Sequence, residues 1–117
     1  MIKIGDVITL KNNQQTEHIY FVAGKLGDRF LLVNATSFDP LKDSSCIMRP
    51  LDHPFIRKKT IINYGDAIDT TETRIEQNIN LNISRKLSSI DNKVLTRIRK
   101  GALISEAFPA KYRPYVR

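Results

Sequence analysis

Two nearly continuous apolar runs, separated by a short polar reversal, constrain this chain more than any other feature. Residues 19–22 (IYFV) and 30–33 (FLLV) are β-branched, aromatic and aliphatic, which favours strands, and residues 24–28 between them favour a reversal. Because the apolar character is continuous and does not alternate, both faces of each strand are expected to be covered. The two runs therefore predict a hairpin at the centre of a small sheet.

Polar side chains occupy the two hairpin ends that meet in an antiparallel pair. His18 opens the first strand, and Asn34, Thr36 and Ser37 close the second. Since one antiparallel strand starts where the other finishes, these side chains are expected to be neighbours. Thr36 or Ser37 is suited to bind a phosphate oxygen, or to cap a turn, which is the commoner role of such hydroxyls.

Shorter apolar segments on either side extend the predicted sheet. Residues 3–11, 46–48 and 57–64 favour strands, whereas the polar residues 12–17 and the Asp39-Pro40 step favour loops. Five short strands at close spacing predict a small, highly curved antiparallel barrel or half-barrel.

The apolar period changes from that of strands to that of helices after Gly65-Asp66. Residues 69–78 have the capping chemistry of a helix start, and an extended connector is expected from residue 78 to 83. Ile90, Val94 and Ile98 recur every four residues in a second helix that Ser88 is suited to cap. The predicted fold is therefore α+β, with a curved antiparallel β-barrel over residues 1–66. Residues 67–117 are expected to form basic C-terminal α-helices that pack on the same domain.

Positive charge is concentrated late in the chain. Residues 85–117 contain nine Lys or Arg and two Asp or Glu, which accounts for the whole formal net charge of +7. This asymmetry indicates a polyanion or an acidic protein as partner, or a solvated basic helix that aids solubility. Tyr112 and Tyr115, near basic residues, either stack on bases or dock the tail on the barrel. The nucleic-acid-binding residues predicted from the basic segments are Arg57, Lys58, Lys59, Lys93, Arg97 and Lys100.

The two histidines are the natural proton donors and acceptors near neutral pH. His18 lies at a strand entrance, and His53 lies between Asp52 and the rigid Pro54. If the rings converge, they form an acid/base pair for phosphodiester cleavage, with Asp52 orienting His53 and a cation stabilising the phosphorane. Alternatively, each histidine is a structural hydrogen-bonding group and Asp52 simply ends a strand. The candidate catalytic residues are His18, His53, Thr36, Ser37 and Asp52.

Other classes of site have little support in the sequence. His18, Cys46 and His53 lack the close paired spacing of metal-site motifs, and there is no glycine-rich phosphate loop, so neither a metal nor a cofactor is predicted. Cys46 has no second cysteine with which to form an internal disulfide, and no apolar run has the length of a membrane span. We therefore expect a cytoplasmic protein with no membrane partner.

Gly5-Asp6-Val7 lies at the first predicted strand, the second strand is apolar, and the third strand ends in Thr36-Ser37. In these features residues 3–64 resemble the PemK/MazF-like family of small toxin barrels. The resemblance implies an SH3-like barrel, often a homodimer, that cleaves single-stranded RNA without a metal and pairs with an antitoxin protein. The family's arginine at the barrel entrance would fall at or near His18, and its strand-three hydroxyl at Thr36 or Ser37.

Two functions follow as predictions. The first is an RNA-binding barrel that acts as a metal-independent endoribonuclease toxin of a toxin–antitoxin pair. The second is a non-catalytic module that binds nucleic acid or a protein through the basic C-terminal helix, as an antitoxin-like or phage anti-defence factor would. Single-stranded RNA is the first expected ligand, followed by other nucleic acids.

Overall fold

A curled antiparallel sheet forms the centre of the molecule. The computed structural model describes residues 1–11 and 14–117; Asn12 and Asn13, which begin the loop predicted over residues 12–17, lie outside the described residues. Within the described part, six strands are arranged in the order β4-β5-β3-β2-β1-β6. The bounds are β1 (Val7–Lys11), β2 (Glu17–Leu26), β3 (Arg29–Ser37), β4 (Ile47–Met48), β5 (Thr60–Thr71), β6 (Lys86–Leu87), α1 (Glu72–Asn80) and α2 (Asn92–Ile104). The predicted α+β class and the half-barrel are confirmed.

Strands β2 and β3 form the predicted central hairpin, and both of its faces are covered. Phe21 and Val33 belong to the larger apolar core, whereas Val22 and Leu32 pack in a second core that includes Ile75 of α1. The reversal is tighter than the sequence predicted, because the strands continue to residue 26 and resume at residue 29. The continuous apolarity of these strands therefore reflects burial on two sides.

Irregularities in the ladder bend this sheet. The β2–β3 register shifts between Val22 and Gly24, and the β3–β5 register shifts between Leu32 and Asn34. Such bulges increase local twist and turn a strand aside. As a result the sheet curls into a half-barrel, with the larger core on one face.

The sheet takes strands from both sides of the boundary predicted at residue 66. Strand β5 continues through Gly65-Asp66 to Thr71, because residues 68–71 pair with the beginning of β3. Strand β6 comes from the segment between the two helices and pairs with Val7 and Ile8 of β1. Ladder pairing on both sides of Gly65-Asp66 thus continues the strand, and the register irregularity lies between the two paired stretches.

Helix α1 begins where the Thr71 side chain accepts a hydrogen bond from the backbone N–H of Arg74. It extends to Asn80, so the extended connector predicted from residue 78 was wrong at its start. The overlap of strand and helix patterns there is resolved by Ile75 and Ile79, which pack together in the second core.

Helix α2 has the predicted apolar stripe but a different cap. Val94, Ile98 and Ala102 are buried. The cap is Asp91, whose carboxylate accepts a 2.9 Å hydrogen bond from the Val94 N–H, and the expectation that Ser88 caps the helix was wrong. The reason is that the Ile90 N–H donates to the Gly5 carbonyl, which keeps the preceding segment against the sheet.

The last residues complete the larger core. A 3₁₀ helix, Ala110–Tyr115, buries Tyr112 and Tyr115, so the docking alternative for these two tyrosines is the one observed. A Cβ at position 24 would overlap the Tyr115 carbonyl, and only glycine permits this approach of the tail to β2. None of the helices within the described residues has the length and apolar character that crossing a membrane requires.

Candidate nucleic-acid interface

A cavity of about 660 Å³ opens where the start of β2, the end of β3 and the start of β5 meet residues 55–58. Five of the residues singled out in the sequence lie in its wall, together with six others. The predicted residues that line the cavity are His18, Thr36, Ser37, Arg57 and Lys58. The half-barrel therefore brings the predicted hydroxyls, one imidazole and two cations to a single concave site.

The interior of the cavity is apolar. Ile19, Ala35 and Ile56 line it, and each also belongs to the larger core, where it is buried. Phe55 lines it as well but is 38% exposed. Ile19 lies near the start of β2 and Ala35 near the end of β3. The apolar face that these strands turn toward the larger core continues to that point and lines the cavity.

The rim is polar and largely cationic. His18, Ser37, Arg57 and Lys58 are exposed, and Thr36 is partly exposed. Neither Arg57 nor Lys58 forms an ion pair with any residue that the structure describes. Two such cations beside hydroxyl groups are suited to contact phosphate oxygens.

Glu17 contributes the carboxylate of the cavity wall, and its charge is matched. Its Oε1 lies 2.7 Å from Arg85 Nη2, while its Oε2 accepts a hydrogen bond from the Thr9 hydroxyl at 3.0 Å. The hydrogen bond from Arg85 lowers the pKa of Glu17. The ion pair leaves the positive charge of Arg57 and Lys58 uncompensated at the rim.

Thr60 lines the cavity, and its buried hydroxyl oxygen has no hydrogen-bond partner among the described residues. The backbone of Thr60 pairs with Ser37 and Met48 in the sheet, which fixes the position of the side chain. The sequence did not single out Thr60, Phe55 or Ile56 as site residues, since its pattern over residues 57–64 predicts only a strand. The register opposite Ser37 is the signal that would have located Thr60.

His53 does not line this cavity, and its ring is occupied elsewhere. The buried imidazole accepts a 3.0 Å hydrogen bond at Nδ1 from the Phe55 N–H. Its Nε2 lies 2.6 Å from the Ser88 carbonyl oxygen, to which it must donate because Nδ1 is the acceptor. This pattern is that of a structural histidine, which positions the segment leading into the cavity wall.

Asp52 and Arg97 form a bidentate pair away from the cavity lining. Arg97 Nη1 lies 2.8 Å from Asp52 Oδ1, and Nη2 donates to Asp52 Oδ2 and to the Ile47 carbonyl. The hydrogen bonds from Arg97 lower the pKa of Asp52. Asp52 therefore orients Arg97 of α2 rather than the imidazole of His53, to which no hydrogen bond joins it in the described structure.

The remaining predicted basic residues are separate from the cavity wall. Lys59 Nζ lies 3.8 Å from the centroid of the Phe38 ring. Lys93 and Lys100 are exposed on α2. These side chains provide additional positive surface but do not line the concave site.

Cys46 is buried, and desolvation raises the pKa of its thiol, as expected for a residue that acts as a small apolar side chain.

Across the part of the chain that the structure describes, no three His, Cys, Asp or Glu side chains group in a way that would hold a metal ion. The cavity wall combines cations, hydroxyls, one imidazole and the paired Glu17 carboxylate around an apolar interior.

Comparison with known proteins identifies no significant match to a family model, a curated protein or a solved structure. The resemblance of residues 3–64 to PemK/MazF-like toxins thus stays a prediction.

Proposed function

We propose that the protein binds single-stranded RNA at the cavity, as a non-catalytic module. The observation that supports this most is the meeting of His18, Thr36, Ser37, Arg57 and Lys58 around one concave site. Uncompensated cations and hydroxyls at the rim suit the phosphate backbone, while the apolar interior suits unstacked bases.

Single-stranded RNA fits this site better than a duplex. The bases of a duplex are paired and stacked, and so they do not enter an apolar cavity without being extruded. The hydroxyls of Thr36 and Ser37 provide donors and acceptors for a ribose 2′-hydroxyl, which distinguishes RNA from DNA.

The absence of catalysis in this proposal follows from His53. Its imidazole is buried, both ring nitrogens make hydrogen bonds, and it is not part of the cavity wall. The cleavage mechanism that the sequence predicts needs a second proton-transfer group beside His18. His53 does not supply that group at the cavity, so we propose binding without cleavage.

A metal-independent endoribonuclease of the PemK/MazF-like toxin type is the second candidate. The observation that favours it is His18, which lines the cavity beside hydroxyls and cations that would support a phosphorane. An SH3-like form of the barrel, a cognate antitoxin, a homodimer and a cytoplasmic location belong to this second proposal.

Fluorescence anisotropy with labelled oligoribonucleotides tests the proposed binding. The variant Arg57→Ala/Lys58→Ala should bind at least about tenfold more weakly. Its salt slope should be smaller by roughly 1.4, because each phosphate neutralised on a single strand contributes about 0.7 to that slope. The matched control Lys93→Ala/Lys100→Ala removes the same charge from α2 and should change affinity much less.

Three results would contradict the cavity as the RNA site. An equal reduction of affinity in both double variants would show that binding depends on overall positive charge. A reduction in the α2 variant alone would show that the RNA binds to the helix. Salt-insensitive binding to one protein, with no RNA binding, would indicate a protein-interaction module. Cleavage of the RNA in EDTA that His18→Ala abolishes would instead support the endoribonuclease.

A further inference from the structure

We propose that the cavity receives one unstacked RNA base, with Phe55 as its stacking partner and the Thr60 hydroxyl in contact with the polar edge of the base. The inference rests on the proposed RNA-binding function, because it specifies which part of the RNA enters the same cavity. Its distinguishing claim is that a base, and not only the backbone, contributes to affinity.

The Thr60 hydroxyl is the first observation behind this inference. Three buried side-chain oxygens lack a hydrogen-bond partner among the described residues, on Asn34, Thr60 and Ser84, and only that of Thr60 belongs to a residue of the cavity wall. Buried polar atoms are normally paired in native structures. A hydroxyl both donates and accepts, so a base amino or carbonyl group completes its hydrogen bonding once rotation about the Thr60 Cα–Cβ bond turns the buried hydroxyl toward the cavity.

The second observation is the contrast between Phe55 and Ile56. Both line the cavity, but Ile56 is 3% exposed and part of the core, whereas Phe55 is 38% exposed. The backbone N–H of Phe55 is held by His53, which fixes the start of this segment. An aromatic ring at the mouth of an apolar site is the usual platform on which a base stacks.

The arrangement of polarity then sets the orientation of the nucleotide. Arg57 and Lys58 follow Phe55 in the chain and are exposed at the rim, where a phosphate remains hydrated. The interior, with Ile19, Ala35 and Ile56, excludes a charged phosphate because desolvation of an anion is unfavourable there. At about 660 Å³ the cavity has the size of small-molecule sites, which are roughly 300–1,000 Å³.

Abasic scanning of a hexaribonucleotide tests this directly. Four labelled homohexamers, one for each base, are first ranked by anisotropy. In the tightest binder each base is then removed in turn, with all phosphates retained. We expect one position at which the abasic residue lowers affinity about tenfold, as expected for loss of one stacked base. Phe55→Leu should remove that difference, and the matched change Phe38→Leu, outside the cavity wall, should preserve it.

Thr60→Val tests the edge contact with little change in shape. Because the hydroxyl has no partner among the residues that the structure describes, its removal should leave the urea midpoint unchanged or slightly higher. The difference in affinity among the four bases at the sensitive position should shrink several-fold, and Thr60→Ser should restore it. A lower urea midpoint for Thr60→Val would show that the hydroxyl is paired in the protein and would contradict this assignment.

The outcomes separate this inference from the proposed function. If every abasic hexamer binds as well as its parent while Arg57→Ala/Lys58→Ala still weakens binding, the base pocket is wrong and RNA binding stands. If no hexamer binds to the wild-type protein, both fail. Removal of the base at one position could lower affinity by the same factor in the wild type, Phe55→Leu and Thr60→Val. That result would show that the base lies outside the cavity, and the inference would be overturned.

Discussion

The hydroxyl of Tyr115 donates a 2.6 Å hydrogen bond to the carboxylate of Asp69, which joins the C-terminal 3₁₀ helix to strand β5. The same carboxylate accepts a 2.9 Å hydrogen bond from Arg29 Nε on β3. These hydrogen bonds, from Arg29 first and then Tyr115, lower the pKa of Asp69 to about 2. The attachment of the tail therefore depends on an ionised carboxylate.

We expect the free energy of unfolding to fall as the pH is lowered from about 4 to about 2. The pKa of Asp69 is lower in the folded protein than its ordinary value of 3.8, so its stabilisation is complete above that value and disappears as the carboxylate is protonated. Urea unfolding between pH 2 and 6 measures this. Asp69→Asn should be less stable at neutral pH and should lack this part of the pH dependence; parallel pH profiles for the two proteins would contradict the assignment.

Removing one hydroxyl provides a finer test of the same attachment. Tyr115→Phe should lower the free energy of unfolding by about 1–3 kcal/mol, because a hydrogen bond to a charged group is removed while the ring still packs. Tyr112→Phe should have a smaller effect, since its hydroxyl lies 3.4 Å from Asp69. Equal effects of the two changes in urea unfolding would argue against a dominant Tyr115 contact.

The two histidines should behave in opposite ways on substitution. His53→Ala should lower the free energy of unfolding by about 1–3 kcal/mol or more, because the Phe55 N–H and the Ser88 carbonyl lose their partner. His18→Ala should lower the free energy of unfolding less than His53→Ala does, since the His18 side chain is exposed, and it should weaken RNA binding. Urea unfolding and anisotropy on both variants decide this, and a fully stable His53→Ala would refute the structural role.

Arg97→Ala should affect stability and not RNA affinity. Its guanidinium is already engaged by Asp52 and the Ile47 carbonyl, so we expect a decrease of about 1 kcal/mol from a half-exposed bidentate pair. Asp52→Asn should produce a comparable decrease. A large fall in RNA affinity for Arg97→Ala, with stability retained, would show that the residue contacts RNA directly.

Gly101→Ala should destabilise the protein, although alanine favours helices by about 1 kcal/mol relative to glycine. A Cβ at this position would overlap the Tyr64 hydroxyl, which is buried and donates a 2.7 Å hydrogen bond to the Ile98 carbonyl. Overpacking of this kind lowers stability by about 1–3 kcal/mol. The double variant Gly101→Ala/Tyr64→Phe should recover part of this stability in thermal unfolding, and a stabilised single variant would contradict the overlap.

The sequence was most informative where local pattern and burial agree. Continuous apolarity of residues 19–22 and 30–33 predicted a hairpin covered on two faces, and antiparallel pairing predicted that His18 would be near Thr36 and Ser37. Both follow from short-range rules of strand geometry. Local patterns alone could therefore predict the part of the cavity wall that these strand ends form.

Long-range pairing explains what the sequence did not reveal. His53 is hydrogen-bonded to the Ser88 carbonyl, 35 residues away, and Asp52 is hydrogen-bonded to Arg97, 45 residues away. No local pattern distinguishes a histidine held in this way from one available for proton transfer. Gly65-Asp66 likewise has the composition of a turn, but β5 continues through it because residues 60–63 and 68–71 on either side pair with β3.

Strand β6 and the aromatic residues of the tail have a consequence for how the chain folds during synthesis. Leu87, Phe108, Tyr112 and Tyr115 pack in the same core as Val7 and Phe21. A nascent chain that has emerged only as far as strand β5 would leave the interior of the half-barrel and the edge of β1 uncovered. We therefore expect folding to be completed only after residue 116 has left the ribosome. Until then the incomplete chain exposes apolar surface, and we expect chaperones to bind it.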